Sequence, residues 1–380
     1  MNQSEINNGC LPLLYNGTGN GTNPSMNKIS TVEIVSLSTL FFIIGAIGII
    51  GNVAVIYAVF SDVKMRMSMT NILIVNLAFS DLFILVFGVP EIVQFMINRG
   101  WLLGHIICRL ERASLVASLY VSVMTLVALC VERYIAIVFP IKAHIMCTRR
   151  RTAVVVVIIW ITSVILALPT LLFNVVIGFG ETQGPVSIKF CVLVFPNDHF
   201  KKMYIAFKYT ESILFYFIPL VVQIVCYIII GKHLFVGIKE LHGQNLRQSP
   251  GNTHSVKCSD TVTARRGVIK MLIVSVVLYF VSYSPHQVLL FYNTFSQQPF
   301  HQTWGFLVGV TVLAYLNSAG NPIIYCLFSE RYRRKFKAIF ICGKTELTAN
   351  DTMLMQSSGQ PTEYTLLYRK STKRFNNTLK

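Results

Sequence analysis

Seven long apolar stretches alternate with short polar connections along the chain, at about 33–60, 69–97, 105–138, 152–173, 201–232, 266–294 and 303–328. Each is long enough to cross the hydrocarbon of a bilayer, which takes roughly 20 apolar residues and tolerates some tilt. Lipid offers no partner to a free backbone N–H or C=O, so each stretch is predicted to be a helix. The fold class is an all-α membrane protein, a seven-transmembrane helix bundle over 33–328 that follows a polar N-terminal segment, 1–32. Pro90, Pro169, Pro219, Pro285 and Pro322 fall inside spans two, four, five, six and seven. Proline removes an internal backbone bond and bends a helix, so the bundle is expected to hold a cavity and to have movable ends.

The pattern changes between the spans. Val175-Val176-Ile177 and Val186-Ser187-Ile188-Lys189-Phe190 are β-prone runs around a turn-forming segment, Gly180–Pro185; together they predict a β-hairpin at the rim of the bundle. The connection at 233–264 has no apolar period and is predicted to be flexible. In 329–342, Tyr332, Phe336, Ile339 and Phe340 stand among basic residues, as in a short amphipathic helix lying on a membrane surface. The segment 343–380 is predicted to be a disordered tail. Its Thr345, Thr348, Thr352, Ser357, Ser358, Thr362 and Thr365 are candidate phosphorylation sites, although a solvated polar tail has the same composition.

Composition agrees with lipid as the solvent: hydrophobic residues make up 53% of the chain and charged residues 13%, against about 25% charged in soluble domains. The net charge of +17 raises nucleic acid as a partner, but the placement of the basic residues excludes it. Lys64 and Arg66, Lys142 and Arg149–Arg151, Arg265, Arg266 and Lys270, and Arg331, Arg333, Arg334, Lys335 and Lys337 occupy alternate connections. By the positive-inside rule these face the cytoplasm, which puts the N-terminus outside a plasma-membrane, multi-pass protein. Asn2, Asn16 and Asn20 head glycosylation sequons there, whereas Asn23 is excluded by Pro24 and the sequons at Asn350 and Asn376 fall in the cytoplasmic tail. With no charged-then-apolar leader at its start, the chain is expected to use its first span as an uncleaved start signal.

Of nine cysteines, Cys10, Cys108 and Cys191 fall on the oxidising side. We pair Cys108 with Cys191 and leave Cys10 free. Cys130, Cys226 and Cys326 lie in spans as packing residues. Cys342, just past the basic amphipathic run, is a palmitoylation candidate, the alternative being an unmodified thiol.

Two intramembrane features carry chemistry. Asp81 sits inside span two, where a carboxylate costs on the order of 2.5–3.5 kcal/mol; it must face the interior, where Asn52, Ser122, Asn317, Ser318 and Asn321 can join it. Such an oxygen-rich cluster can hold Na⁺ and water, or can simply tie helices together. Span three ends in Glu132-Arg133-Tyr134, where Glu132 can neutralise Arg133, and Tyr227 and Tyr325 can swing toward the guanidinium. No Ser/His/Asp set, His-Glu-x-x-His run or intramembrane carboxylate pair marks an enzyme. No internal repeat marks a transporter.

Gly51-Asn52, Asn76 through Asp81, Trp101-Leu102-Leu103-Gly104, Cys108, Glu132-Arg133-Tyr134, Trp160, Pro219 with Tyr227, Pro285, and Asn321-Pro322-Ile323-Ile324-Tyr325 follow one another, a set to each helix. In this order they resemble the rhodopsin-like (class A) G-protein-coupled receptors over almost the whole chain. The chain departs from that family in span six, which reads Ser282-Tyr283-Ser284-Pro285: Tyr283 replaces the usual tryptophan, and Tyr279 replaces a usual phenylalanine. Tyr315 stands where a retinal receptor needs lysine, and Leu115 where an aminergic receptor needs aspartate. The hairpin, the sequons and a polar upper cavity resemble peptide receptors. Glu132 through Arg151 resembles receptors for thyrotropin-releasing hormone, neuromedin, ghrelin and ecdysis-triggering peptides, although Val116 replaces an acid found in some of them.

The resemblance implies a signalling receptor, not an enzyme. Its expected partners are an extracellular peptide, a heterotrimeric G protein (Gq, with Gi as the alternative), arrestin and receptor kinases on the tail, and membrane lipids. It implies no cofactor beyond Na⁺ at Asp81 and no metal centre. The activation switch would comprise Glu132, Arg133, Tyr134, Tyr227, Tyr283, Pro285, Asn321, Pro322 and Tyr325. The expected peptide contacts are Glu91, Gln94, Glu111, Arg112, Lys208, Glu211, His286, Gln287 and Tyr292, all in the outer halves of spans. Helix-to-helix ion pairing, for example of Glu111 with neighbours of Arg112 or of Lys208 with Glu211, is the alternative use of these charges, and His286 as a packed neutral histidine is another.

Overall fold

A computed structural model describes residues 31–97, 100–179, 188–195, 200–245, 253–295 and 304–340. Asn2, Asn16, Asn20, Cys10, the turn at 180–185, Cys342 and the tail 343–380 lie outside the described residues.

Among the described residues, seven helices are long and apolar enough to cross a membrane. The first three spans are α1 (Thr31–Phe60), α3 (Met69–Met96) and α4 (Gly104–Val138). The fourth is α6 (Arg149–Phe173). The fifth is composite: α7 (Phe200–Ser212), a π-helical turn (Ile213–Phe217) and α8 (Ile218–Asn245). The sixth and seventh are α9 (Thr253–Phe295) and α10 (Trp304–Phe328). Two short helices, α2 (Val63–Arg66) and α5 (Pro140–Met146), occupy the first two basic connections. Asp62 caps α2, its carboxylate accepting from the N–H groups of Lys64 and Met65 at 2.8 and 3.3 Å. Pro140 opens α5, where its missing N–H is not needed.

The helices agree with the apolar stretches to within a few residues on the outer side. On the basic side α8 runs on to Asn245 and α9 begins at Thr253, so most of 233–264 is helical rather than flexible. A helix already nucleated in a span extends without meeting the nucleation cost again.

Spans two and three form the centre of the bundle. The apolar windows of α3 and α4 are 61% and 56% buried, against 22% for α6, whose side chains mostly face outward. Asn76 ties the three together: its amide donates to Thr125 Oγ1 at 2.8 Å and its carbonyl accepts from Trp160 Nε1 at 2.8 Å. Close approach of α1 to α10 depends on Gly51, where an added Cβ would lie 2.8 Å from Pro322.

The prolines leave carbonyls that neighbouring spans satisfy. Pro322 has no N–H for the carbonyl of Ser318, four residues back; Asn52 on α1 donates to it at 3.1 Å. Pro219 likewise cannot serve the carbonyl of Phe215, at the π-helical turn; the Tyr279 hydroxyl on α9 donates to it at 2.9 Å.

The expected hairpin is present. β1 (Asn174–Phe179) pairs antiparallel with β2 (Ile188–Leu193), Val176 opposite Cys191. A Cys108–Cys191 disulfide ties it to the top of α4. Arg109 Nε donates to the Asn174 carbonyl at 3.0 Å, and the Lys189 carbonyl accepts from the backbone of Trp101 at 2.7 Å. The Trp101 indole reaches the Gly104 carbonyl at 2.8 Å, and Gly104 turns the chain into α4 at φ +78°, which favours glycine.

The chain divides into two compact units after Tyr332. In the first, Tyr332 packs its ring 5.5 Å from that of Tyr325 and donates to Asn71 Oδ1 at 3.1 Å. The second begins at Arg333, within α11 (Glu330–Phe340). Its Phe336 and Phe340 rings are 6.0 Å apart, among Arg333, Arg334, Lys335 and Lys337.

Candidate functional site

Asp81 lies at the centre of the bundle with no exposed surface. Asn321 Nδ2 donates to one carboxylate oxygen at 2.8 Å, and Ser122 Oγ approaches the other at 3.5 Å while sharing a 2.8 Å bond with Ser80. Asn52, Asn317, Ser318 and Asn321 are all buried around it. Among the described residues Asn52 Oδ1, Asn317 Oδ1 and Asn321 Oδ1 have no hydrogen-bond partner, while the Ser318 hydroxyl faces the Asp81 carboxylate. The donor set — one carboxylate and neutral oxygens — fits a hydrated monovalent cation.

At the C-terminal end of α4, beside the basic connections, Arg133 is held by Glu132 and Thr70. Its guanidinium donates to Glu132 at 2.5 and 2.6 Å and also bonds Thr70 of α3. The Thr70 hydroxyl in turn lies 3.3 Å from both Glu132 oxygens. Tyr134 packs edge-on to Phe139. Tyr325 is buried and Tyr227 half-buried, the latter with its hydroxyl beside the Cys130 thiol. The arrangement has its charges neutralised.

The ends on the hairpin side hold two charge clusters. In one, Arg112 of α4 pairs with Glu91 of α3, and Glu111 lies within electrostatic reach of both. In the other, Lys208 pairs with Glu211 at 2.7 Å one turn along α7, and Glu211 accepts from the Tyr120 hydroxyl of α4 at 3.0 Å. His286 of α9 feels both members of that pair. Arg112 and Lys208 are electrostatically coupled, so both clusters belong to one region. The pairing foreseen as the alternative for Lys208 and Glu211 is what the structure contains. Gln94 is half-buried nearby on α3. Gln287 and Tyr292 are placed differently: with Tyr216, Phe217, Ser284, Val288, Phe291 and Phe295 they line an almost wholly apolar cleft of roughly 520 Å³ between the fifth and sixth spans. Val288, Tyr292 and Phe295 there are exposed, so the cleft opens sideways toward lipid.

Between the outer and inner ends lies an aromatic column. Tyr120 stacks flat on Phe215 at 3.7 Å. Tyr279 touches Tyr283 at 4.8 Å and bonds the Phe215 carbonyl. The Tyr216 and Ser284 hydroxyls meet at 2.6 Å. Pro285 follows inside α9. Sequence reasoning missed Tyr120, Thr70 and the Phe215 carbonyl. The last had a signal: a proline leaves the carbonyl four residues earlier in need of a donor. Tyr120 had none, because an aromatic inside a span is ordinary.

The family model of the seven-transmembrane receptors of the rhodopsin family matches residues 51–325. Neuropeptide receptor 15 of Caenorhabditis elegans is 34% identical over 327 residues, covering 83% of this chain and 94% of that protein. The thyrotropin-releasing hormone receptor of Homo sapiens is 30% identical over 342 residues, 86% of this chain and 83% of that receptor. Galanin receptor 2b of Danio rerio is 28% identical over 309 residues, 81% and 75% respectively. With the match running from Gly51 to Tyr325, through every span that builds this interior, the chain belongs to the rhodopsin family of seven-transmembrane receptors, whose members signal rather than catalyse.

Proposed function

We propose that the protein is a plasma-membrane receptor, N-terminus outside, for an extracellular neuropeptide or peptide hormone, and that it passes binding to a heterotrimeric G protein of the Gq class, with Gi as the alternative. The observation that carries this is the pairing of a charge-rich outer end, roofed by a disulfide-anchored hairpin, with a neutralised Arg133 at the inner end of the same helix, α4. The relatives named for peptide ligands support the ligand class.

The peptide engages Glu91, Gln94, Glu111, Arg112, Lys208, Glu211 and His286, and it shifts the population only by its preference for one bundle shape. In that shape the inner ends of α8 and α9 swing outward. Arg133 leaves Glu132 and Thr70 and, with Tyr227 and Tyr325, frames a cleft for the α subunit. Arg333, Arg334, Lys335 and Lys337 favour anionic lipid headgroups, and the tail serves receptor kinases and arrestin. Asp81, Ser122, Asn317, Ser318 and Asn321 would hold Na⁺, which supplies a positive charge opposite the carboxylate and favours the closed bundle.

The deciding experiment is Arg133→Ala in membranes with purified G protein. Surface expression is expected to persist while agonist-stimulated nucleotide exchange falls to the basal level. Unimpaired stimulated exchange would refute the mechanism.

A further inference from the structure

Within the outer region Glu111 is the carboxylate left over. Glu91 has Arg112 and Glu211 has Lys208. Arg109, one turn toward the rim, is committed to the Asn174 carbonyl of the hairpin. His105 accepts from the Val176 N–H. Along its own helix Glu111 has no donor: Cys108 is in the disulfide, Ser114 bonds the Leu110 carbonyl, and the remaining position is Leu115. Arg112 is adjacent in sequence, but neighbouring side chains on a helix point about 100° apart.

Glu111 is nonetheless 92% buried, with 8% of its surface exposed, and the described residues give it neither a hydrogen bond nor an ion pair. A second polar group beside it is also unmet: Arg112 Nε is buried without an acceptor. Of the three carboxylates Glu91, Glu111 and Glu211, Glu111 is therefore the one without an ion pair of its own among the described residues. A carboxylate that is enclosed by the bundle but has no ion pair of its own can take a charge-assisted hydrogen bond from a cation that a ligand brings.

We infer that Glu111 is the recognition carboxylate for a cationic group of the ligand: an arginine or lysine side chain, or the free α-amine, of the peptide. Arg112 Nε then donates to a carbonyl next to that group. The inference rests on the peptide-receptor reading and narrows it to peptides that carry positive charge.

The probe is a set of C-terminally amidated tetrapeptide pools in which one position is fixed as Arg, Lys, citrulline or Glu. Each pool is made with a free and an acetylated N-terminus. Nucleotide exchange is recorded in membranes of cells expressing the wild type, E111Q, E111D or E111K, with surface expression measured in parallel. Cationic pools are expected to exceed citrulline or acetylated pools at the wild type. E111Q is expected to lower their potency by roughly 30-fold or more, as for a charged group that loses its buried partner, and to leave neutral pools unchanged. E111D keeps the ranking and E111K moves it to the Glu pools. Whether Arg or Lys, or instead the free amine, carries the preference identifies the cation. Equal potency of cationic and neutral pools at the wild type overturns the inference while leaving a peptide receptor in place. So does an E111Q loss that is the same for every pool. Silence of every pool removes the peptide-receptor reading, and this inference with it.

Discussion

Tyr279 and Tyr283 replace larger or less polar rings that the family favours, and their hydroxyls change what span six can do. Tyr279 supplies the donor that Pro219 denies to the Phe215 carbonyl, which makes it a polar tie between the two spans that we propose to separate on activation. Such bonds between membrane helices contribute about 0.6 kcal/mol on average. Tyr279→Phe is therefore expected to raise agonist-independent nucleotide exchange by about threefold, read in membranes at matched surface expression. An unchanged basal rate would mean the tie survives in the open bundle. Asp81 carries a second prediction at this scale. Asp81→Asn removes the charge but keeps a polar side chain, so replacing NaCl by choline chloride is expected to alter agonist affinity in the wild type and not in the variant, as measured by competition binding.

Among the elements, the hairpin and the fifth span are set by covalent and backbone constraints. The β1–β2 register places Cys191 opposite Val176, and the disulfide holds that point to α4 beside Arg109 and Trp101. Cys108→Ala together with Cys191→Ala is expected to leave the seven helices able to insert while agonist binding falls, because the roof over the charge clusters loses its anchor; ligand binding alongside circular dichroism separates the two effects. The approach of α1 to α10 is tighter. A Cβ at Gly51 meets Pro322 at 2.8 Å, and Pro322 is a ring that cannot yield. Gly51→Leu is expected to cost on the order of 1–3 kcal/mol, as overpacking does, seen as a lower melting temperature in detergent. The helical reading of the spans was available from hydropathy alone. The extension of α8 and α9 past the membrane was not, because a polar run has no period by which to announce a helix that has already started.

At the scale of the molecule, charge placement and packing act together. Basic residues on alternate connections orient the bundle, so an epitope tag at the N-terminus of intact cells is expected to be reachable by antibody, whereas one in the connection at 246–252 becomes reachable only after permeabilisation. The burial of α3 and α4 relative to α6 explains why the polar residues with most partners, Asn76, Asp81, Ser122 and Thr125, sit on these two central helices.

Span number, helix type, the disulfide partners, the two intramembrane charged motifs and the family could all be read along the chain, because hydrocarbon admits only closed backbones and makes every misplaced charge conspicuous. The pairing of Glu91 with Arg112, the isolation of Glu111, the turning of Gln287 and Tyr292 toward a lateral cleft, and the Tyr279 bond to Phe215 could not be read that way. Each depends on the rotation of one helix against another, and the packing of helix on helix sets that rotation where local residue preference leaves it open.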